Sequence, residues 1–355
     1  MIRETVIKLL LAPFSLLYGG IISIRNILYK KEILKSVKFD IPVVSIGNLS
    51  VGGTGKTPHI DYMVSWLKEY IQVGILSRGY KRESTGFVIG QQARDVKKIG
   101  DEPFQFLSKH PDVPIAVSEN REIGIPLLLK SFPETRLIFL DDAFQHLSVK
   151  PHINILLTSY DALFTRDFIL PSGRLREWRS SYKRADIIIV TKCTRDLTHA
   201  RSINLINEIK PMAHQQLFFT DFRYKMPYYI FNTGYKWEWN PDTYILLVSG
   251  IANTEYLEKY LEPKGKHIQK YSFADHHWYT NYDMGQIKRQ FDELPGNNKI
   301  IITTEKDATR FQLHRNYLVE NKLPLFILPI EVRFLFDDEE KFKNLITERL
   351  LEFKT

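Results

Sequence analysis

Residues 42–58 read PVVSIGNLSVGGTGKTP, and they join an apolar run to a glycine-rich loop and a helix start. The run at 42–46 is typical of a buried parallel strand, and Pro58 suits the first turn of a helix. Glycines let successive backbone N–H groups turn toward an anion, and the positive end of the following helix points to the same place. The stretch therefore predicts a phosphate-binding loop in an α/β domain.

The polar groups of this loop suit a nucleoside triphosphate. We expect Lys56 to reach the β- and γ-phosphates and the Thr57 hydroxyl to bind Mg²⁺. Ser50 stands where the general motif has its first glycine, so Gly52 and Gly53 would supply the flexibility instead. The residues predicted to bind the nucleotide are Gly52, Gly53, Thr54, Gly55, Lys56 and Thr57.

Length, charge and cysteine content limit the class of protein. A chain of 355 residues exceeds the size at which one hydrophobic core stops growing, so two domains are expected. The formal net charge of +8 indicates an anionic partner such as a nucleotide, a phosphorylated substrate, a lipid surface or a nucleic acid. The single cysteine, Cys193, excludes an intrachain disulfide and fits a reducing compartment.

The N-terminal segment favours membrane association. Residues 9–24 are nearly all apolar, and basic residues on both sides favour anionic lipid head groups. Only 16 residues separate Lys8 from Arg25, fewer than the roughly 20 needed to span a bilayer. An interfacial helix is therefore predicted, with a core helix and a secretory signal peptide as alternatives.

Apolar runs that alternate with helical patterns predict a parallel α/β sheet. The strand candidates are 42–46, 73–77, 113–117, 137–140, 153–157, 186–191 and 217–220, then 244–248, 267–272, 299–303 and 324–329, before a closing helix at 338–353. We expect a P-loop NTPase-like core with a mostly parallel sheet and a smaller C-terminal α/β domain. The expected division is 1–30 membrane-associating helix, 31–222 core, 223–242 linker and 243–355 C-terminal domain.

Two adjacent acids, Asp141 and Asp142, end an apolar run. A strand that ends in acid can simply begin a turn. In a chain with a phosphate-binding loop, however, a carboxylate at the tip of a central strand helps to hold Mg²⁺. We therefore expect the pair to serve the metal site. His146 follows closely and either orients a carboxylate or caps the next element.

Three further polar motifs carry candidate chemistry. Residues 100–103 read GDEP, where Asp101 is either a helix cap or a base for a substrate hydroxyl. Residues 275–277 read DHH, which fits an acid/base or orienting pair better than a metal site. Residues 303–307 read TTEKD and either line an interdomain cleft or begin a helix.

Arginines follow several strand candidates. Residues 171–179 read PSGRLREWR, and their glycine, proline and tryptophan favour a shaped loop over a solvated charge run. Arg78 and Arg121 each follow a predicted strand. Guanidinium groups suit phosphate, and strand ends line the ligand crevice of an open α/β sheet.

These motifs form an ordered set along residues 43–310, and the set resembles the tetraacyldisaccharide 4′-kinase family of lipid A biosynthesis. Its members are GNLSVGGTGKTP (47–58), SRGY (77–80), GDEP (100–103), LDDAFQH (140–146), LRE (175–177), DHH (275–277) and TTEKD (303–307). That family likewise lacks the first glycine of the general loop, so Ser50 fits it. Ala143 and Trp178 depart from it, because glycine and proline are common there.

The resemblance implies transfer of the ATP γ-phosphate, with Mg²⁺, to the 4′-hydroxyl of an acylated glucosamine disaccharide 1-phosphate. The implied cellular location is the cytoplasmic face of the inner membrane, where the protein would lie on an anionic lipid surface. The implied catalytic residues are Asp101, His276 and Lys56; the metal residues are Thr57, Asp141 and Asp142; the substrate residues are Arg78, Arg121, Arg176 and Glu177.

Two other classes of protein fit parts of the sequence. Residues 190–192 read VTK, a partial guanine motif of a membrane-docked GTPase, but Thr194 replaces the required aspartate. A basic nucleic-acid-dependent ATPase would need a binding module that is not recognised here. We therefore infer neither a nucleic acid nor an obligate protein partner.

Overall fold

The structure, a computed structural model, describes residues 2–251 and 254–353. Its strands are β1 (Val43–Asn48), β2 (Val73–Ser77), β3 (Val88–Ile89), β4 (Ile115–Val117), β5 (Leu137–Asp141), β6 (Ile153–Ser159), β7 (Ile187–Thr191), β8 (Gln216–Tyr224), β9 (Tyr228–Tyr229), β10 (Asn232–Lys236), β11 (Tyr244–Ser249), β12 (His267–Ser272), β13 (Lys299–Thr304), β14 (Leu325–Leu328) and β15 (Ile330–Phe334). Its α-helices are α1 (Ile2–Lys30), α2 (Lys56–Leu67), α3 (Gly90–Ala93), α4 (Val96–Ile99), α5 (Asp101–Lys109), α6 (Arg121–Ser131), α7 (His199–Ile209), α8 (Glu255–Leu261), α9 (Asn281–Glu293), α10 (Glu305–Phe311), α11 (Arg315–Glu320) and α12 (Glu339–Leu351).

In the part of the chain that the structure describes, the first sheet has nine strands in the order β15-β8-β7-β6-β1-β5-β2-β4-β3. Its seven inner strands are parallel, and the edge strands β3 and β15 are antiparallel to their neighbours. The inner strands read as continuous apolar runs because helices cover both faces of the sheet. The predicted mostly parallel α/β core is confirmed.

Among the described residues, the second sheet has six strands in the order β10-β9-β14-β13-β11-β12. Strands β14, β13, β11 and β12 are parallel, as an α/β domain predicts. The expected linker is partly wrong, because residues 228–236 form β9 and β10 and extend this sheet beyond β14. Backbone pairing toward β14 satisfies the hydrogen-bonding groups of this Tyr-rich segment.

The C-terminal limit of the second domain also differs from the expected one. Strand β15 pairs with β8 of the first sheet, and Phe342 and Ile346 of α12 are buried in the core beneath that sheet. Residues 330–351 therefore return to the core domain. Two chain segments cross between the domains side by side, since the Lys225 amide donates to the Pro329 carbonyl at 3.0 Å.

Helix α1 packs along the core through one side only. Tyr18 donates to the Arg176 carbonyl at 3.0 Å, and the Trp178 indole donates to the Gly19 carbonyl at 3.1 Å. By length and composition, the Val6–Lys30 part is apolar enough to cross a membrane. Its exposed apolar side chains are Val6, Ile7, Leu9, Leu10, Phe14, Leu16, Leu17, Ile21, Ile24 and Ile27.

Candidate active site

The glycine-rich loop joins β1 to α2, as predicted. Gly52 and Gly55 have φ of 110° and 87°, a region that favours glycine. A Cβ at Gly55 would also lie 2.7 Å from the Phe222 ring, so the position excludes a side chain. The Thr191 hydroxyl at the end of β7 donates to the Thr54 carbonyl at 2.8 Å. A hydrogen bond from the end of β7 therefore helps to hold the loop in place.

The loop that carries Arg176 is fixed directly against the phosphate-binding loop. The Arg176 amide donates to the Leu49 carbonyl and the Val51 amide donates to the Arg174 carbonyl, both at 2.7 Å. Ser50 lies between these two bonds and is largely buried. The non-glycine at this position is thus part of a paired, extended segment rather than of the turn.

Asn48, the last residue of β1, is a site residue to which the sequence assigned no role. Its side-chain oxygen accepts from Lys56 Nζ at 3.2 Å and from the Arg176 guanidinium. Its side-chain Nδ2 donates to the Ser50 carbonyl at 2.7 Å. Asn48 therefore positions the side chains of Lys56 and Arg176. Its location directly before the glycine-rich loop is the sequence feature from which this role could have been predicted.

The acid pair lies beside the loop because β5 and β1 are neighbours in the sheet, with Asp141 opposite Ile46. Asp141 is buried and accepts from the Ser77 hydroxyl at 3.0 Å. Burial, together with the charges of Glu102 and Asp142, raises the pKa of Asp141 above its ordinary value. A bound cation would relieve this unfavourable burial of negative charge.

Asp142 has the opposite electrostatic environment. Burial opposes ionisation, but the charges of Lys56 and Arg176 outweigh burial and lower the pKa of Asp142 to about 2. Arg176 donates to both carboxylate oxygens, at 2.8 and 3.2 Å, and Lys56 Nζ lies 3.6 Å from Oδ1. Asp142 is therefore a carboxylate at every physiological pH.

The donor set fits Mg²⁺ bound together with a nucleotide. The Oδ1 atom of Asp141 is buried and has no hydrogen-bond partner among the residues that the structure describes, and Asp142 and the Thr57 hydroxyl add further oxygens. Within residues 2–251 and 254–353, no cluster of three or more His, Cys, Asp or Glu could hold a metal alone. Mg²⁺ commonly binds through one or two carboxylates plus substrate phosphates, which agrees with this sparse protein set.

Asp101 and His276 meet across the two domains. Asp101 is the first residue of α5, and its Oδ2 lies 3.2 Å from His276 Nδ1. His276 has φ of 62°, and its amide donates to the Gly250 carbonyl at 3.1 Å. The neighbouring His277 instead contacts Asp283 at 3.0 Å. The histidine that faces Asp101 is therefore His276.

The Asp101 pair lies near the same sheet edge as the acid pair. Ser77, which contacts Asp141, ends β2, and the chain then passes through Gly79 to Tyr80. A Cβ at Gly100, one residue before Asp101, would approach the Tyr80 carbonyl oxygen to 3.1 Å. Asp101 thus lies beside the chain that leaves the carboxyl end of β2, where open α/β sheets bind ligands.

Arg121, one of the predicted substrate residues, occupies a buried position. Its side chain is buried, and it donates to the carbonyls of Ser118 at 2.9 Å and Asp141 at 3.3 Å. Burial lowers the pKa of Arg121 to about 10. Arg121 therefore holds the end of β5 from within. His146 accepts from the Arg121 amide at 3.3 Å, so it caps α6.

Glu177 is likewise a structural residue in this conformation. Its carboxylate has no exposed surface and lies between Arg25 of α1 at 2.8 Å and Arg184 at 2.6 Å. It joins the N-terminal helix to the core. Of the predicted substrate residues, Arg176 lies at the acid pair and Arg78 is exposed just after β2.

Comparison with known proteins shows which family the chain resembles. A sequence profile of the family described as tetraacyldisaccharide-1-P 4′-kinase matches residues 7–351. The tetraacyldisaccharide 4′-kinase of Phocaeicola vulgatus is 45% identical over 343 residues, which cover 95% of this chain and 94% of that protein. The enzyme of that name from Flavobacterium johnsoniae is 42% identical over 348 residues, 98% of each chain.

A solved structure is similar over almost the whole chain. It is described as the "apo" form of LpxK from Aquifex aeolicus in complex with ATP. Its TM-score is 0.74 at 30% identity, and the match covers 97% of this chain and 99% of that one. The resemblance drawn from the motifs is confirmed, and the chain belongs to the tetraacyldisaccharide-1-P 4′-kinase family.

Proposed function

We propose that the chain transfers the γ-phosphate of ATP to the 4′-hydroxyl of a tetraacyldisaccharide 1-phosphate and so forms a bisphosphorylated lipid A precursor. Family membership supports the reaction class. The contact between Asp101 and His276 is the structural observation that supports it most strongly. It gives a kinase what a phosphate-binding loop lacks, which is a base for the acceptor hydroxyl.

The donor half of the site binds ATP. Backbone N–H groups of residues 52–55 and the positive end of α2 would face the phosphates, and Lys56 would contact the β- and γ-groups. Thr57, Asp141 and Asp142 would hold Mg²⁺, which neutralises charge on the phosphates when it is bound. Asn48 keeps the Lys56 ammonium in place.

The acceptor half of the site supplies the base. Asp101 takes the proton of the 4′-hydroxyl as the O4′–Pγ bond forms, and the bond from Pγ to the bridging oxygen breaks to release ADP. His276 orients the Asp101 carboxylate from the second domain. Arg176 and the exposed Arg78 add positive charge for the transferred phosphate and the acceptor.

Helix α1 supports a lipid substrate. Its exposed apolar side chains form a surface suited to the boundary between lipid head groups and acyl chains. Contacts from Tyr18 to Arg176 and from Trp178 to Gly19 hold this helix against the loop that carries Arg176. We infer interfacial binding at the cytoplasmic face of the inner membrane, with anionic lipid attracted by flanking basic residues.

A transfer assay tests the proposal. Purified protein is incubated in detergent micelles with [γ-³²P]ATP and tetraacyldisaccharide 1-phosphate, and we expect a labelled bisphosphorylated lipid. GTP should be a poor donor, and DNA or RNA should not stimulate turnover. Preference for GTP without lipid labelling would instead support a nucleotide switch.

A further inference from the structure

The TTEKD motif at 303–307 has no part in the proposed reaction, yet three consecutive side chains from it reach three different partners. Glu305 contacts Lys109 of the core domain at 2.6 Å. Lys306 Nζ lies 2.9 Å from His276 Nε2, and Asp307 accepts from Arg310 at 2.6 Å. The middle residue of the three therefore touches the histidine that faces Asp101.

Both ring nitrogens of His276 have a partner of known type. Nδ1 faces the Asp101 carboxylate at 3.2 Å, and Nε2 faces the Lys306 ammonium at 2.9 Å, nearer than the Asp275 carboxylate at 3.9 Å. An ammonium group can only donate hydrogen bonds, and an ionised carboxylate can only accept them. Nε2 must therefore accept and Nδ1 must carry the proton, because an imidazolium would turn a donor toward Lys306.

We propose that Lys306 is a positioning residue that fixes the neutral Nδ1–H tautomer of His276. In this tautomer the imidazole donates to Asp101 Oδ2 and leaves Oδ1 to take the proton of the acceptor hydroxyl. The opposite tautomer would turn a lone pair toward the Asp101 carboxylate and a proton toward the Lys306 ammonium. The hydrogen bond on one ring nitrogen thus decides what the other can do.

A buried hydrogen-bond network fixes the position of Lys306 relative to His276. Asp307 is fully buried and accepts from the Gly250 amide at 3.1 Å, while the Gly250 carbonyl accepts from the His276 amide at 3.1 Å. Thr304 caps the same helix by accepting from the Asp307 amide at 3.1 Å. The start of α10 and the loop that carries His276 are therefore one connected unit.

The Lys306 side chain is itself held in place. About a quarter of it is exposed, and Nζ lies 3.7 Å from the Asp275 carboxylate as well as next to His276. The alternative is that Lys306 binds a phosphate of the substrate directly. A direct ligand and a positioning residue have different consequences for the tautomer of His276.

The test compares Lys306→Met, which removes the donor, with Lys306→Gln, which keeps an N–H donor without the charge. Histidines are labelled with ¹⁵N in the full-length protein in micelles, and the His276 ring signals are assigned by their loss in His276→Gln. We expect the neutral Nδ1–H form in wild type and Lys306→Gln. In Lys306→Met we expect a larger share of imidazolium, because Asp101 still accepts from Nδ1 whereas Nε2 no longer faces an ammonium. Lys288→Met, on the exposed face of α9, should change nothing.

Kinetics provide the second measurement. Lys306→Met should lower kcat by about 10- to 100-fold with the KM for ATP unchanged, and Lys306→Gln should recover most of that loss. A share of the neutral Nδ1–H form in Lys306→Met equal to that of wild type would overturn the proposal. So would a rise in the KM for the lipid at unchanged kcat, since that result would make Lys306 a substrate ligand.

The inference rests on the proposed function, but the two can fail separately. The tautomer is observed without turnover, so it reports on Lys306 even in the absence of lipid. A wild-type protein that shows the expected tautomers without transferring phosphate to the lipid would contradict the proposed function alone. A protein that transfers phosphate with the tautomer unaffected by Lys306→Met would contradict the inference alone.

Discussion

His276 Nδ1 lies 3.2 Å from Asp101 Oδ2, and this contact joins a loop of the second domain to the first residue of a core helix. Asp101 is largely buried, and Arg310 Nε lies 3.6 Å from the same oxygen. These two contacts from the second domain restrict the Asp101 carboxylate to one orientation. The two residues should therefore act as one unit.

Substitution of either partner tests that unit. We expect Asp101→Ala and His276→Ala each to lower kcat by roughly 10²–10⁴-fold, the range of general base catalysis, with ATP affinity near wild type. The double variant should be about as slow as the slower single one, because residues that act together are not additive. Steady-state kinetics and nucleotide titration measure both quantities. If the fold losses in kcat of the two single variants instead multiply in the double variant, Asp101 and His276 act independently and the prediction is wrong.

The packing of α1 is tested by two adjacent glycines. A Cβ at Gly19 would overlap the Trp178 ring, whereas a Cβ at Gly20 meets nothing within 4 Å. We expect Gly19→Ala to destabilise the packed helix by about 1–3 kcal/mol and to expose α1 to protease in micelles. Gly20→Ala is the matched control and should be neutral or slightly stabilising. Equal protease sensitivity of the two variants would contradict the contact.

Glu177 is expected to stabilise the fold rather than bind substrate. Its fully buried carboxylate contacts Arg25 and Arg184, whose side chains are 35% and 29% exposed. Glu177→Gln should cost about 1.5–3 kcal/mol, as for hydrogen bonds to charged groups. Glu208→Gln breaks an exposed pair with Arg166 and should cost less than about 1 kcal/mol. Thermal unfolding compares them, and a stable Glu177→Gln with a raised KM for lipid would restore the substrate role.

Cys193 gives a prediction about pH. Burial, with smaller contributions from the charges of Asp221 and Asp161, raises the pKa of this thiol from 9.0 to about 12. The native protein therefore keeps the proton that the unfolded chain loses, so this contribution to stability falls as pH rises from 9 toward 12. At pH 8 a thiol reagent should label the native protein far more slowly than the denatured protein. Rapid labelling of the folded protein would show that the thiol is accessible and ionised.

Sequence patterns predicted most of the two sheets. The inner strands are continuous apolar runs because both faces are covered, and such runs are visible without a structure. The pairing of β15 with β8 was not predictable in the same way. Residues 330–334 are close in sequence to β14, but they pair with β8, and Phe334 and Phe342 pack around Phe218 in the core of the first domain.

The candidate site was predicted in part. The glycine-rich loop and the acid pair follow from motifs whose chemistry is local, whereas the contact of Asp101 with His276 joins two domains and no local motif predicts it. Arg121 and Glu177 have the residue types of a phosphate site, but burial gives them structural partners. Burial depends on distant segments, such as α1 over Glu177, and that information is absent from the local pattern.

The most direct test of the central claim compares two acceptors in the [γ-³²P]ATP assay. One is tetraacyldisaccharide 1-phosphate, and the other is the same lipid without its 4′-hydroxyl. We predict a labelled bisphosphorylated product from the first and none from the second, with labelling of the first strongly reduced in Asp101→Ala. Labelling of the 4′-deoxy acceptor, or no labelling of the natural one, would contradict the assignment of this chain as a 4′-kinase.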